Sequence, residues 1–193
     1  MRKRVIIFLS NFLSPPVFSI FIFCAISFKI SPTVKSSLIN FLVCFLFQSL
    51  FPIILLFVAL RMKTISDIHL YRKEERNRIF PVLAIYYFSG FSILKIINAP
   101  SLLVYLMLSS VFLILVTWLI NLSYKISIHA VGLGGFLTGL YFTFGFAAFF
   151  LEIILLPVII WIRFESKAHN ISQIITGVVL GHLLTYFVLV FYI

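Results

Sequence analysis

Apolar residues fill this chain in long runs separated by short polar breaks. The runs cover roughly residues 12–30, 37–60, 79–97, 101–123, 129–146, 147–163 and 172–192. Crossing the ~30 Å hydrocarbon core of a bilayer takes roughly 20 apolar helical residues, with about 17 to 25 observed. Each run therefore predicts one membrane span. The expected fold is all-α, a polytopic transmembrane helical bundle of six to seven spans forming one integral membrane domain over residues 1–193. The count turns on the fifth and sixth runs, which abut at Gly145-Phe146-Ala147 with no charge until Glu152. Read as one broken helix, they leave six spans. The opening Met1-Arg2-Lys3-Arg4 and its apolar run resemble a signal peptide, but no small-residue cleavage site precedes Pro15-Pro16, so the run reads as an uncleaved first span. No repeat of 20–50 residues and no domain linker interrupts the pattern.

Composition turns the pattern into a class. Hydrophobic residues make up 63% of the 193 positions, charged residues 10%, and mean hydropathy is +1.21. A soluble domain carries about 25% charged residues, so this chain lacks the polar surface to face water on all sides. Disorder, a secreted disulfide scaffold and a nucleic-acid-binding domain fit poorly. The net charge of +10 flanks apolar spans instead of forming a stripe. That distribution points to membrane lipids and lipid phosphates as partners, and to no nucleic acid. Cys24 and Cys44 lie inside apolar runs, where a free cysteine behaves as a small hydrophobe. Seven spans put Arg2, Lys3, Arg4, Arg61, Lys63, Arg72, Lys73, Arg76, Arg78, Lys125, Arg163 and Lys167 on one side, and Lys29, Lys35 and Lys95 on the other. Cytoplasmic loops retain Lys and Arg. The larger set and the N-terminus are thus expected in the cytoplasm, in a multi-pass protein of the plasma membrane.

Polar chemistry is scarce and clustered. Four of the five acids and three of the four histidines fall in three breaks, 61–80, 123–129 and 163–172. Counting spans places all three on one face, so a bundle would gather them into one pocket at the membrane interface. The first holds Asp67, His69 and the run Arg72-Lys73-Glu74-Glu75-Arg76-Asn77-Arg78, ending Phe80-Pro81. The second reads Lys125-Ile126-Ser127-Ile128-His129 and opens Gly132-Leu133-Gly134-Gly135. The third runs from Arg163 through His169 to Gln173 and opens a helix with Gly177 and Gly181.

In order and sidedness these stretches resemble the three motifs of the type-2 phosphatidic acid phosphatase superfamily of lipid phosphatases, related to vanadium haloperoxidases, over roughly residues 67–185. The third motif of that family is Ser-Arg, five residues, His, three residues, Asp; here Ile162-Arg163 is followed by His169 and Gln173 at that spacing. Its second is Pro-Ser-Gly-His, and Ile126-Ser127-Ile128-His129 keeps the Ser and His. Its first is Lys, six residues, Arg-Pro, and Lys73 precedes Phe80-Pro81 with the Arg lost. Arg76, one helical turn before Phe80 and on the same face, is the expected substitute, with Arg78 second.

The resemblance implies a phosphoryl transfer with His169 as nucleophile, forming a phosphohistidine that water hydrolyses, and His129 as general acid to the leaving alkoxide. Lys73, Arg76, Arg78, Ser127 and Arg163 would hold the phosphoryl oxygens. Charge neutralisation by cationic side chains suffices for such chemistry, so neither cofactor nor metal is expected. Gln173 can accept from the His169 ring but lacks the family carboxylate's charge. Turnover is therefore expected to be slow or absent, and Gln173→Asp to increase it. The alternative is a catalytically inactive relative that binds lipid phosphates or serves as a structural membrane subunit. A bland reading stands beside each residue: an interfacial polar His169, a capping His129, a snorkelling Arg163, an ordinary basic loop at 72–78. His182, inside the last run, reads as a neutral histidine bonded to a neighbouring helix, and the glycines of the fifth and last runs as close-packing positions.

Overall fold

The computed structural model describes residues 2–192, with side chains from Arg4 onward; the side chains of Arg2 and Lys3, counted above among the bases, lie outside the described set. The described residues form helices and no strand: α1 (Arg2–Phe12), α2 (Pro15–Ile30), α3 (Val34–Cys44), a π-helical turn (Phe45–Leu50), α4 (Phe51–Arg61), α5 (Lys73–Ile96), α6 (Ser101–Ser123), α7 (Ile128–Phe144), α8 (Ala147–Glu165) and α9 (Ile171–Tyr192). The continuous rod Val34–Arg61 and helices α5, α6, α8 and α9 are each long and apolar enough to cross a bilayer. Helices α1 and α2 meet at 48° and together make a further candidate span, whereas α7 is apolar but only 17 residues long. The fold is an all-α polytopic bundle.

Local chemistry explains where the rods end. The first apolar run does not open a helix at Phe12. Proline disfavours helical geometry in the residue before it. Ser14 is extended (ψ 142°) and α2 starts at Pro15, where a missing N–H costs nothing. Thr33 and Ser36 exchange side-chain and backbone hydrogen bonds, both 3.1 Å, in a capping box that starts α3. Helix α5 begins six residues before the expected span, because Lys73–Arg78 winds into its first turns. Glu74 and Glu75 there complement the positive helix end. The abutting fifth and sixth runs part at Gly145, whose φ of +63° suits glycine, so they are two helices rather than one broken span.

The end of α4, the start of α5, the end of α6, the start of α7, the end of α8 and the start of α9 all lie at one end of the bundle. Lys29, Lys35 and Lys95 sit at helix ends on the opposite side. Large apolar side chains such as Phe21, Phe88, Phe150 and Phe191 are exposed around the rim, as a lipid-facing surface requires. The interior carries paired polar groups, Ser19 with Ser49 at 2.7 Å and Gln48 with Ser110 at 3.1 Å.

Candidate functional site

The site starts from the packing of α7 on α9, the most extensive helix pair in the molecule. Glycine removes the side chain where the backbones touch. A Cβ on Gly134 would strike the carbonyl oxygen of Val178, and one on Gly181 that of Val131. At Gly177 it would stand 2.8 Å from the Ser127 carbonyl oxygen and 2.9 Å from Ala130 Cβ. The two helix N-termini are thereby held side by side, and the Ser127 N–H donates to the Gln173 carbonyl at 3.2 Å. Backbone contact at this closeness leaves little room for the two ends to shift.

Helix α9 opens with a reciprocal cap. Asn170 Oδ1 accepts the Gln173 N–H at 2.9 Å, and Gln173 Oε1 accepts the Asn170 N–H at 3.2 Å. The backbone donor identifies that side-chain atom as oxygen. The same oxygen lies 3.2 Å from Nδ1 of His169. An acceptor there favours the tautomer with its proton on Nδ1, leaving the lone pair of Nε2 free.

Arg76 is fully buried in the first turns of α5. Its Nε donates to the Leu70 carbonyl at 2.9 Å, and its Nη1 to the Ile126 carbonyl at 2.8 Å and Asn121 Oδ1 at 3.2 Å. One guanidinium thus ties together the loop before α5, the end of α6 and the approach to α7. Leu70 is held at a φ of +51°, an unfavourable value for a leucine that this bond helps to enforce. The same loop carries His69, whose ring lies 5.6 Å from His129 and 5.6 Å from Tyr71. Arg163, near the end of α8, is also buried. It lies 5.8 Å from the Tyr71 ring, and its Nη1 donates to Ser10 Oγ of α1 at 3.1 Å.

These groups form one electrostatic unit. Arg163 acts on His69, Arg76, Lys125, His129 and His169, and His169 also feels Arg76 and Lys125. Burial, reinforced by these cations, pushes the His169 imidazole down to about 3, so its ring is neutral. Burial also lowers His69, against the pull of Asp67, and lowers Lys125, with Arg76 and Arg163 adding to it. Several buried polar atoms have no hydrogen-bond partner among the described residues: Nε2 of His129, Nε2 of His169, Nε of Arg163 and Oγ of Ser127. Leaving such a group unpaired costs about 1–3 kcal/mol. These four atoms belong to residues of this one cluster. Among the described residues, no group of three or more His, Cys, Asp or Glu side chains stands where it would hold a metal ion.

Six of the eight residues expected to form the site come together: His129, His169, Gln173, Ser127, Arg76 and Arg163. Lys73 is exposed, and only its backbone carbonyl joins the network, accepting from Asn121 Nδ2 at 3.0 Å. Arg78, two residues and about 200° around α5 from Arg76, borders a separate surface recess with Lys63, Arg72, Glu74 and Glu75. His69 and Lys125 lie in the breaks expected to form the pocket but were given no role in it, and Ser10 and Asn121 were not expected in the cluster. Asn121 carried a signal, as an amide inside a run that is otherwise largely apolar. Ser10 had none, because its role depends on the bend between α1 and α2.

A second polar group lies nearer the other end. His182 Nδ1 meets Thr138 Oγ1 at 2.9 Å, and its Nε2 stands 3.0 Å from Glu152 Oε1 without a well-aligned hydrogen bond. His182 is thus held by two neighbouring helices, and Glu152 is its partner. Beneath the histidine cup lies an apolar cavity of about 300 Å³ with His69 and His129 in its lining.

Compared with protein-family models, with curated proteins and with solved structures, the chain matches none.

Proposed function

We propose that the protein is a membrane lipid phosphatase that hydrolyses a lipid phosphate or polyprenyl diphosphate through a phosphohistidine. The observation that carries the reading is the buried cluster of unpartnered His129, His169, Arg163 and Ser127 atoms among Arg76 and Lys125. A phosphoryl group offers acceptor oxygens and negative charge to the Arg163, Ser127 and His129 donors, and an electrophilic phosphorus to the free lone pair of His169 Nε2.

Neutral His169 attacks phosphorus through Nε2. The N–P bond forms as the bridging P–O bond breaks, and the electron pair leaves on the lipid oxygen, an alkoxide for a monophosphate or a phosphate oxygen for a diphosphate. His129, protonated when the phosphate's negative charge is bound beside it, gives that proton to the leaving oxygen as an imidazolium, then takes one back from the water that cleaves the N–P bond, returning free phosphate and His169. Arg163 and Lys125 neutralise the equatorial oxygens, and the Ser127 hydroxyl donates a hydrogen bond to one of them. Arg76 contributes its field while its hydrogen bonds hold the frame. Gln173 fixes the ring and adds no charge to stabilise the imidazolium, so turnover is slow. The basic face is cytoplasmic, by the twelve-to-three distribution of Lys and Arg, and the membrane is the plasma membrane.

A second reading, an inactive binder of lipid phosphates, is favoured by one observation: Arg76 Nε and Nη1 already donate to protein acceptors. The deciding experiment measures phosphate release from a detergent-solubilised lipid phosphate in the presence of a chelator. Release abolished by His169→Ala supports the enzyme. Tight binding without release supports the binder, and release that requires a divalent cation overturns the phosphohistidine route.

A further inference from the structure

The cavity beneath the cup continues inward. Its walls include Ile53, Leu56, Phe80, Leu83 and Ile114, with His69 and His129 at its upper end. A narrower space of about 50 Å³ adjoins it, sharing Pro15, Tyr87, Ile114 and Ile128, and runs on to Gln48, Ser109, Ser110 and Thr117. Ser110 lies 13 residues before Ser123 and Gln48 13 before Arg61, so both are roughly 20 Å from the cup end of their helices at ~1.5 Å per residue. That depth lies inside a ~30 Å hydrocarbon core, beyond its midpoint as measured from the cup. The passage is largely apolar along its whole length, with Gln48 and Ser110 at its far end and Thr117 in its wall nearer the cup. Gln48 is 4% exposed and gives its amide N–H to Ser110 at 3.1 Å. Its Oε1, and Oγ1 of Thr117, have no partner among the described residues. The π-helical turn Phe45–Leu50 brings both Gln48 and Ser49 into the interior, and Ser49 is satisfied by Ser19. Such turns within α-helices recur at functional sites.

We propose that this passage holds a single hydrocarbon chain of the phosphate ester and that Gln48, paired with Ser110, forms the floor that sets the longest chain accepted. The inference rests on the cup being the phosphate site. A volume of about 300 Å³ is at the lower end of ligand pockets, roughly 300–1,000 Å³; it suits one chain rather than two side by side. A chain end that reaches the floor meets an amide oxygen it cannot pair, at the desolvation cost of a buried polar group. Chains that stop above it gain apolar contact with no such penalty.

The test uses the full-length protein and a series of n-alkyl monophosphates from butyl to octadecyl, with phosphate release as the readout. Wild type should show an optimum chain length. Ile114→Phe, or Leu83→Phe if that variant does not fold, narrows the passage and should cut the long-to-short rate ratio at least tenfold. Gln48→Leu should move the optimum to longer chains. An unchanged profile in both variants overturns the proposal. If wild type releases phosphate from no ester, the phosphatase reading fails separately. The passage is then tested by an alkyl phosphate with a photoreactive diazirine at its terminal carbon. Labelling of residues 106–117 or of Gln48 supports the chain site; labelling confined to lipid-facing positions such as Phe88 overturns it.

Discussion

The side-chain oxygen of Gln173 lies 3.2 Å from Nδ1 of His169 while it also accepts the Asn170 N–H that caps α9. One atom therefore starts a membrane helix and sets the tautomer of the proposed nucleophile. Gln173→Glu keeps this reach and adds the missing charge, so phosphate release should rise at least tenfold with the fold intact. Gln173→Met removes the acceptor and should lower both turnover and stability, the latter by about 1 kcal/mol for a lost cap contact. A Glu variant that is folded and no faster would remove His169 from the nucleophile's role. The shorter Gln173→Asp should give a smaller increase.

Arg76 and Arg78 are separated by one residue and by most of the consequences of mutation. Arg76→Leu strands three acceptors, Leu70 O, Ile126 O and Asn121 Oδ1, each worth about 1–3 kcal/mol when buried unpaired. Thermal unfolding in detergent should show a large drop in midpoint, with Arg76→Lys only partly restoring it because an ammonium lacks the planar fork. Arg78→Ala, at an exposed position, should stay within about 0.5 kcal/mol of wild type. Equal effects of the two substitutions would refute the network.

Gly181→Ala should separate α7 from α9. The added methyl meets the Val131 carbonyl oxygen and stands 2.8 Å from the Gly135 nitrogen, both backbone atoms. Overpacking of this kind costs about 1–3 kcal/mol. Because Ser127, His129 and His169 are registered through this contact, phosphate release should fall further than stability alone explains. Val179→Ala, on an exposed position of the same helix, is the control and should change neither.

Acid should unfold the protein through its histidines. The pKa of His169 is held at about 3, below the ordinary histidine value of 6.5. Between those limits the unfolded chain binds a proton that the native chain does not. Stability is then lost as pH falls below about 6.5, by up to ~1.4 kcal/mol per pH unit for one such group. His69 is shifted in the same direction and adds to the loss. Unfolding midpoints measured from neutral pH down to about pH 4.5 should fall, and His169→Gln should flatten the slope. The same slope in the variant would mean that His169 is not the buried neutral group.

Much of the architecture was legible in the hydrophobic runs. Runs long enough to span a bilayer have one low-energy solution in lipid, because only a helix satisfies its own backbone there. Runs 37–60, 101–123 and 172–192 match their rods within about three residues. The errors lie where polar residues wind into helix, as at Lys73–Arg78, and where a proline pair breaks a run, as at Pro15-Pro16. The spacing of Ser127, His129, Arg163, His169 and Gln173 was visible too. The reciprocal cap between Asn170 and Gln173, three residues apart, was written in the sequence and overlooked.

Composition and periodicity alone determined that the chain is an all-helical membrane bundle with its polar chemistry gathered at one end, since lipid leaves such a sequence no other way to bury its backbone. Which basic residues enter the interior and which remain outside was decided only by tertiary packing. Arg76 and Arg78 differ by two positions, about 200° around a helix with 3.6 residues per turn, and that rotation acquires meaning only when α6 and the loop at Leu70 supply acceptors on one side. Ser10 joined the cluster for the same reason: its place depends on a helix bend that no local pattern encodes.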